Sequence, residues 1–218
     1  MNAAAIRKLY LASGNSGKLD EFRTLAAGQA LDVDLLPGFS DIAEFPEDAS
    51  TFAENAAGKA LYYSRHGGPR QSGSPQNGET VFADDSGLVV PALGGAPGVH
   101  SARYAGTKAN GEQNIAKLLE QLKTKEGPLR NAYFVCVIAV ARHGRALAIV
   151  SGRVDGEILQ EPRGSSGFGY DPVFYFPKLE KTFAELSAEE KNQHSHRGRA
   201  FRKLCDFLSS LGPEHRVI

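Results

Sequence analysis

Short apolar runs alternate with stretches in which apolar residues recur every three or four positions, a pattern of strands interleaved with helices. Leu9-Tyr10-Leu11-Ala12 ends in Ser13-Gly14-Asn15 and reads as a buried strand entering a turn. Leu19, Phe22, Leu25 and Ala26 then place a helix over residues 18–27. A second strand is expected over 32–36, stopped by Pro37-Gly38, followed by an acidic loop over 39–50. Thr51, three residues before Glu54, has capping-box spacing for a helix through Ala56, Ala57, Ala60 and Leu61 to about Arg65. Residues 67–79 are rich in Gly, Ser, Pro and Gln and read as an exposed, mobile loop. Further on, the pattern predicts a helix over 111–123, strands over 132–141 and 146–154 joined at Arg142-His143-Gly144-Arg145, and a strand over 173–176. From Ser187 a polar stretch runs to Arg199, and Phe201, Leu204, Cys205 and Leu208 follow at helical spacing.

Composition narrows the function classes. The chain has 218 residues, enough for one good core or for one domain with a smaller lobe. Lys plus Arg and Asp plus Glu each number 25, which argues against nucleic-acid binding driven by net positive charge. Cys136 and Cys205 form no CxxC and sit in apolar or helical patterns, so a reducing compartment is expected rather than a disulfide framework or a zinc site. No apolar run has the length of a membrane span, and the first residues show no sustained apolar stretch of a signal peptide. The expectation is a soluble cytoplasmic protein with no nucleic-acid partner and no membrane association.

Four segments carry candidate chemistry. Val81-Phe82-Ala83 leads into Asp84-Asp85-Ser86-Gly87, where the apolar run is expected to break into a turn. Two adjacent carboxylates against apolar flanks meet desolvation and mutual repulsion unless a cation or a proton-transfer role compensates, and carboxylates with water and phosphate oxygens are the usual setting for Mg²⁺. A hydrogen-bonded turn capped by aspartates is the plainer alternative. Ser13-Gly14-Asn15-Ser16-Gly17-Lys18 joins a strand end to a helix start, where backbone N–H groups and a lysine suit phosphate, although the spacing is not that of a P-loop. Phe168, Gly169, Tyr170 and Asp171 lie in a glycine-rich loop that can stack on a base and accept from its N–H groups, or can simply close over the edge of a core. Lys191, His194, His196, Arg197 and Arg199 crowd a short C-terminal stretch, in which Ser195-His196-Arg197-Gly198 is expected to interrupt the helical pattern with a glycine.

Taken in order, LASGNSGK at 11–18, TFAENA at 51–56, ADDSGL at 83–88, LGGAPGVHSARY at 93–104, GFGYDP at 167–172 and SHRG at 195–198 resemble the inosine/xanthosine triphosphate pyrophosphatases, the Ham1-like family. The resemblance spans nearly the whole chain, with Ser13 where many members carry threonine. It implies a single Ham1-like domain over 1–218 of α/β class: an elongated mixed β-sheet with flanking helices, a second lobe, a substrate cleft between the lobes, and assembly as a homodimer. The implied activity is Mg²⁺-dependent cleavage of ITP, dITP and XTP to the monophosphate and pyrophosphate, cleansing the nucleotide pool. By the same resemblance Asp85 is the proton acceptor for the attacking water. Residues Ser13 to Lys18 and Ser86 contact the triphosphate, while Phe168 to Asp171, Lys191, His196 and Arg197 contact substrate mainly around the base. For the metal, Asp84 and Asp85 are joined by Glu47 and Glu54 as candidates, and sequence leaves the choice between the two glutamates open.

Overall fold

The architecture is given by a computed structural model that describes residues 8–29, 31–67 and 79–210. The first strand, β1 (Lys8–Leu11), is followed by α1 (Ser16–Ala26), β2 (Asp32–Leu35), α2 (Phe52–His66) and β3 (Val81–Val89). After α3 (Gly111–Leu122) come β4 (Asn131–Arg142), β5 (Arg145–Ile158), β6 (Phe174–Phe176) and β7 (Lys181–Thr182), then α4 (Ala188–His194) and α5 (His196–Ser210). The seven strands among the described residues form one sheet in the order β2-β1-β3-β4-β5-β6-β7. It is mixed: β1 runs parallel to β2 and β3, whereas β6 is antiparallel to β5 and β7. The α/β class with a mixed sheet and flanking helices is therefore as expected.

Local chemistry explains most element boundaries. The α1 helix starts where the Asn15 side chain accepts from the Lys18 N–H, and α2 where the Thr51 side chain accepts from Glu54 N. The β4–β5 turn is His143-Gly144, both at positive φ (50° and 69°), the backbone that matches the twist of a two-residue hairpin.

By contact density the chain divides into two compact units. The first comprises the described residues up to Asp85, Val137–Ser151 and those from Ala200 onward; the second comprises Ser86–Cys136 and Gly152–Arg199. In the first, Leu9, Leu11, Phe22, Phe82 and Phe201 are buried, and Phe22 meets Phe82 edge-on at 5.0 Å. In the second, Leu88, Leu118 and Leu122 are buried with Phe134, Phe174 and Phe183, and the Phe134 and Phe174 ring centroids lie 4.5 Å apart. No helix among the described residues is long and apolar enough to cross a membrane.

Several boundaries differ from the sequence expectation. Asp84 and Asp85 do not sit at a turn: they lie in the middle of β3, which continues to Val89. The strand survives because each carboxylate finds partners from elsewhere in the chain, described below. The break in the C-terminal helical pattern does fall within the segment 195–198, but at Ser195 and not through the glycine: Ser195 ends α4 in extended geometry, and its Oγ accepts from Gly198 N at 3.0 Å, capping α5. β5 runs on to Ile158, and a short 3₁₀ turn, Phe39–Asp41, begins the acidic segment expected to be a plain loop. The glycine-rich stretch expected as a mobile loop falls, for residues 68–78, outside the described residues.

Candidate functional site

The first unit gathers the acids and lysines. Successive side chains of a strand point to opposite faces, so Asp84 and Asp85 serve different neighbours. Lys18, in the first turn of α1, places its Nζ 3.0 Å from Asp84 Oδ2. On α2, Asn55 donates from Nδ2 to Asp85 Oδ2 at 3.0 Å. One turn on, Lys59 donates to the backbone oxygen of Asp84 at 2.7 Å and to Glu47 Oε1 at 3.0 Å. Asp84 is 1% and Asp85 6% exposed, so both carboxylates are held almost out of water.

Burial pushes the Asp85 carboxyl above the ordinary aspartate range, working against the Lys59 charge and the Asn55 hydrogen bond; the Glu47 charge pushes it up further, and Lys18 pulls it down. A carboxylate raised in this way is a better proton acceptor than a solvated aspartate. Glu47, whose charge adds to that upward push, is itself ion-paired to Lys59 at 3.0 Å.

The donor set fits Mg²⁺ in the way that ion is commonly held, by one or two carboxylates with phosphate and water oxygens completing the shell. Among the described residues there is no group of three or more His, Cys, Asp and Glu side chains able to hold a metal ion by themselves. Of the two candidate glutamates, Glu47 shares Lys59 with the Asp84 backbone oxygen. Glu54 has its Oε2 2.8 Å from the Thr51 hydroxyl and 3.4 Å from that of Ser50, at the start of α2. Asp84 faces Lys18 and so holds a lysine in place.

The Ser13–Lys18 segment is an ordered turn. Asn15 N donates to Ser13 Oγ at 3.2 Å, Lys18 N donates to Asn15 Oδ1 at 3.1 Å, and Ser16 and Gly17 begin α1. Gly14 approaches Phe39, with ordinary clearance for a Cβ. Lys18, Asp84, Asp85, Glu47, Lys59 and Asn55 all belong to the first unit, whereas Ser86 is the first residue of the second.

The second unit holds the other expected set. Asp171, 4% exposed, accepts at Oδ2 from Phe168 N (2.9 Å) and from Lys191 Nζ (2.8 Å). Gly167 lies at φ +81°, and a Cβ there would fall 2.2 Å from Asp171 Oδ2, so glycine is required for the carboxylate to reach back under the loop. Phe168 keeps 38% of its surface exposed, with Lys191 Nζ 5.0 Å and the Arg197 guanidinium 5.5 Å from its ring centre. His196 is buried and stacks on Phe134 at 4.7 Å and 12°.

Tyr170 behaves differently from Phe168. It is 4% exposed, donates its hydroxyl to Ser101 O at 2.9 Å, and burial raises its pKa strongly. Of the two loop aromatics, Phe168 is the one that presents a ring to solvent, while Tyr170 anchors the loop.

Sequence reasoning missed Lys59 and gave Asn55 no role. The signal was present: a lysine and an asparagine four residues apart lie on one helical face, here the face that also buries Ala56, Ala60 and Tyr63. Polar side chains on a buried helix face call for buried partners.

Comparison with known proteins sets this geometry in a family. The model of the Ham1 family matches residues 9–207. This chain belongs to the Ham1 family. Among its relatives, a dITP/XTP pyrophosphatase of Geobacillus kaustophilus (strain HTA426) is 49% identical over 199 residues, covering 91% of this chain and 93% of the relative. One of Xylella fastidiosa (strain Temecula1) is 46% identical over 208 residues, covering 94% and 99%. Among solved structures, the Ham1 protein of Staphylococcus aureus superposes with a TM-score of 0.78 at 40% identity, covering 93% of this chain and 98% of that one. The Ham1 motifs quoted from the sequence are the segments that build both residue sets: SGNSGK and ADDSGL in and next to the first, GFGYDP and SHRG in the second.

Proposed function

We propose that this Ham1-family chain hydrolyses the triphosphates of deaminated purines, ITP, dITP and XTP, between the α- and β-phosphates, with Mg²⁺ as cofactor. The general activity, dITP/XTP pyrophosphatase, follows from the family and from relatives as similar as the Geobacillus kaustophilus and Xylella fastidiosa enzymes. The observation that carries the finer reading is the buried Asp85 of β3, held by Asn55 at 3.0 Å and pushed up by burial, with Lys18 and Lys59 of the same unit gathered on the adjacent Asp84.

In this reading Asp85 takes a proton from water as the water oxygen bonds to the α-phosphorus. The bond from that phosphorus to the bridging oxygen breaks, and pyrophosphate leaves with the electron pair. Asp85 and Glu47 would hold Mg²⁺, which when bound supplies positive charge against the negative charge that develops on the phosphoryl oxygens. Lys18 and the α1 start hold the outer phosphates, and Lys59 keeps Glu47 and the β3 backbone in register. Phe168 offers its ring to the base, and Asp171 holds Lys191 beside it. Hypoxanthine and xanthine carry an acceptor at position 6 where adenine carries a donor, so a donor such as Arg197 or His196 favours the deaminated bases. A cytoplasmic homodimer acting on free nucleotides, with no nucleic-acid partner, belongs to the same proposal.

The test is a digest of ITP, XTP, dITP, ATP, GTP, dUTP and TTP with Mg²⁺, resolved by anion exchange. The expected result is rapid conversion of ITP to IMP and pyrophosphate with no IDP, and slow loss of ATP. An IDP peak preceding IMP, or ATP consumed as fast as ITP, contradicts the proposal.

A further inference from the structure

The segment that carries Glu47 has almost no regular structure of its own, yet α2 grips it at four points. Phe45 N donates to Tyr63 Oη at 3.1 Å. The Phe45 ring lies over the bare backbone of Gly58, where a Cβ would come within 2.4 Å of it. Lys59 Nζ reaches Glu47 Oε1 at 3.0 Å, and Ala49 N donates to Asn55 Oδ1 at 3.1 Å. Residues 55, 58, 59 and 63 succeed one another along one side of the helix, so the loop is laid along α2 as if it were an extra element.

Lys59 also reaches β3, at the Asp84 backbone oxygen (2.7 Å), whereas Asn55 reaches the Asp85 side chain itself. Asn55 is 1% exposed; its Oδ1 accepts from the Glu47 segment while its Nδ2 donates to the Asp85 carboxylate at 3.0 Å. An amide is suited to this, because one end must accept from a backbone N–H and the other must donate to a carboxylate. Aspartate keeps the first function and loses the second, and an apolar side chain loses both. A buried asparagine that served only to fill polar space would have no need to be shared between a metal-side loop and the general base.

We infer that Asn55 is a positioning residue that locks Asp85 and the Glu47 segment into a single geometry, an inference that rests on the proposed roles of those two acids. With Oδ2 held by Asn55, the Asp85 carboxylate plane is fixed, and Oδ1 is the oxygen assigned to the water proton. The same amide fixes the loop two residues beyond Glu47, so base and metal-side glutamate move together or not at all. Groups that orient the ligands of a metal typically matter by about 10–100-fold in affinity or activity.

Two variants separate the two arms. Asn55→Ala removes both, and Asn55→Asp retains the acceptor for Ala49 N while placing a carboxylate against Asp85. Two readouts are needed: kcat and KM for ITP with Mg²⁺, and amide hydrogen exchange of residues 45–50 in the metal-free protein. N55D is expected to keep the loop protected and to lose about 10–100-fold in kcat with KM little changed. N55A is expected to lose kcat similarly and also to exchange faster across 45–50. Near wild-type kcat in N55D, or unchanged exchange in N55A, overturns the inference; N55D also settles the matter should N55A fail to fold. Asp85→Asn run alongside keeps the two failures apart: an active D85N refutes the role given to Asp85, whereas an inactive D85N with a fully active N55D refutes only the positioning role.

Discussion

The two units treat buried charge in opposite ways. In the first, Asp84, Asp85, Glu47, Lys18 and Lys59 are packed together, and Asp85 is left under strain, pushed up by burial and by Glu47 despite its lysine neighbours. In the second, the one deeply buried carboxylate of the loop, Asp171, is answered by a backbone N–H and by Lys191, and the group left facing solvent is the Phe168 ring. A strained carboxylate suits bond making and proton transfer. A settled carboxylate beneath an open ring suits holding something flat. The contrast is what the proposed function draws on when it places turnover in the first unit and base recognition in the second, and each prediction below probes that proposal.

The largest effect is expected at the strained acid. Asp85→Asn should lower kcat by about 10²–10⁴-fold, the usual consequence of losing a positioned base, while ITP still binds. Steady-state kinetics with circular dichroism as the folding control checks this; a folded D85N with more than half of wild-type kcat removes the first unit from the chemistry.

Next comes selectivity. Arg197→Ala should reduce kcat/KM for ITP far more than for ATP, because a donor matched to the 6-oxo group discriminates only where that group is present. Guanine also carries the 6-oxo group, so GTP should follow ITP in this variant. If the ITP to ATP ratio measured in R197A equals that of wild type, base selection lies elsewhere in the second unit, with the Phe168–Asp171 loop the first place to look.

A smaller effect reads the strain itself. A carboxyl whose folded pKa lies above its unfolded value binds more protons in the native state, so stability falls as pH rises from the unfolded value through the folded one. Asp85 is such a group, chiefly through burial. In metal-free protein, D85N should therefore melt above wild type at pH 7, and the gap should close as pH falls into the ordinary aspartate range. Thermal melts in EDTA across that range check the sign, and a D85N that melts below wild type at pH 7 shows that Asp85 is not strained.

Much of this division is legible in the sequence, but unevenly. Leu9–Ala12 and the 3.6-residue pattern after Lys18 give β1 and α1, because burial of a continuous run and of one helical face leaves a local periodic record. The Asp84-Asp85 pair reads as a turn because its compensating partners, Asn55 and Lys59, lie about 30 and 25 residues upstream, beyond any local pattern. The same distance hides the different surroundings of the two glutamates: Glu47 is taken up by Lys59 of α2, whereas Glu54 stays with Thr51 at the helix start. The Phe168 to Asp171 loop is visible as chemistry, yet the opposite fates of Phe168 and Tyr170 depend on the Ser101 carbonyl, which the tyrosine hydroxyl reaches across 69 positions. The extent of β5 escapes for a different reason: Asp155, Gly156 and Glu157 have low strand propensity, and pairing with β6 overrides it.

The proposed division of labour is tested most directly by calorimetric affinity for ITP in D85N and in D85N/F168A. With turnover removed in both proteins, the account predicts that loss of the Phe168 ring weakens binding by about 1–3 kcal/mol, roughly 5- to 150-fold. The loss should be similar for ITP, GTP and ATP, because stacking does not read base identity. Equal ITP affinity in the two proteins would contradict the account, since the exposed ring of the second unit would then hold no base.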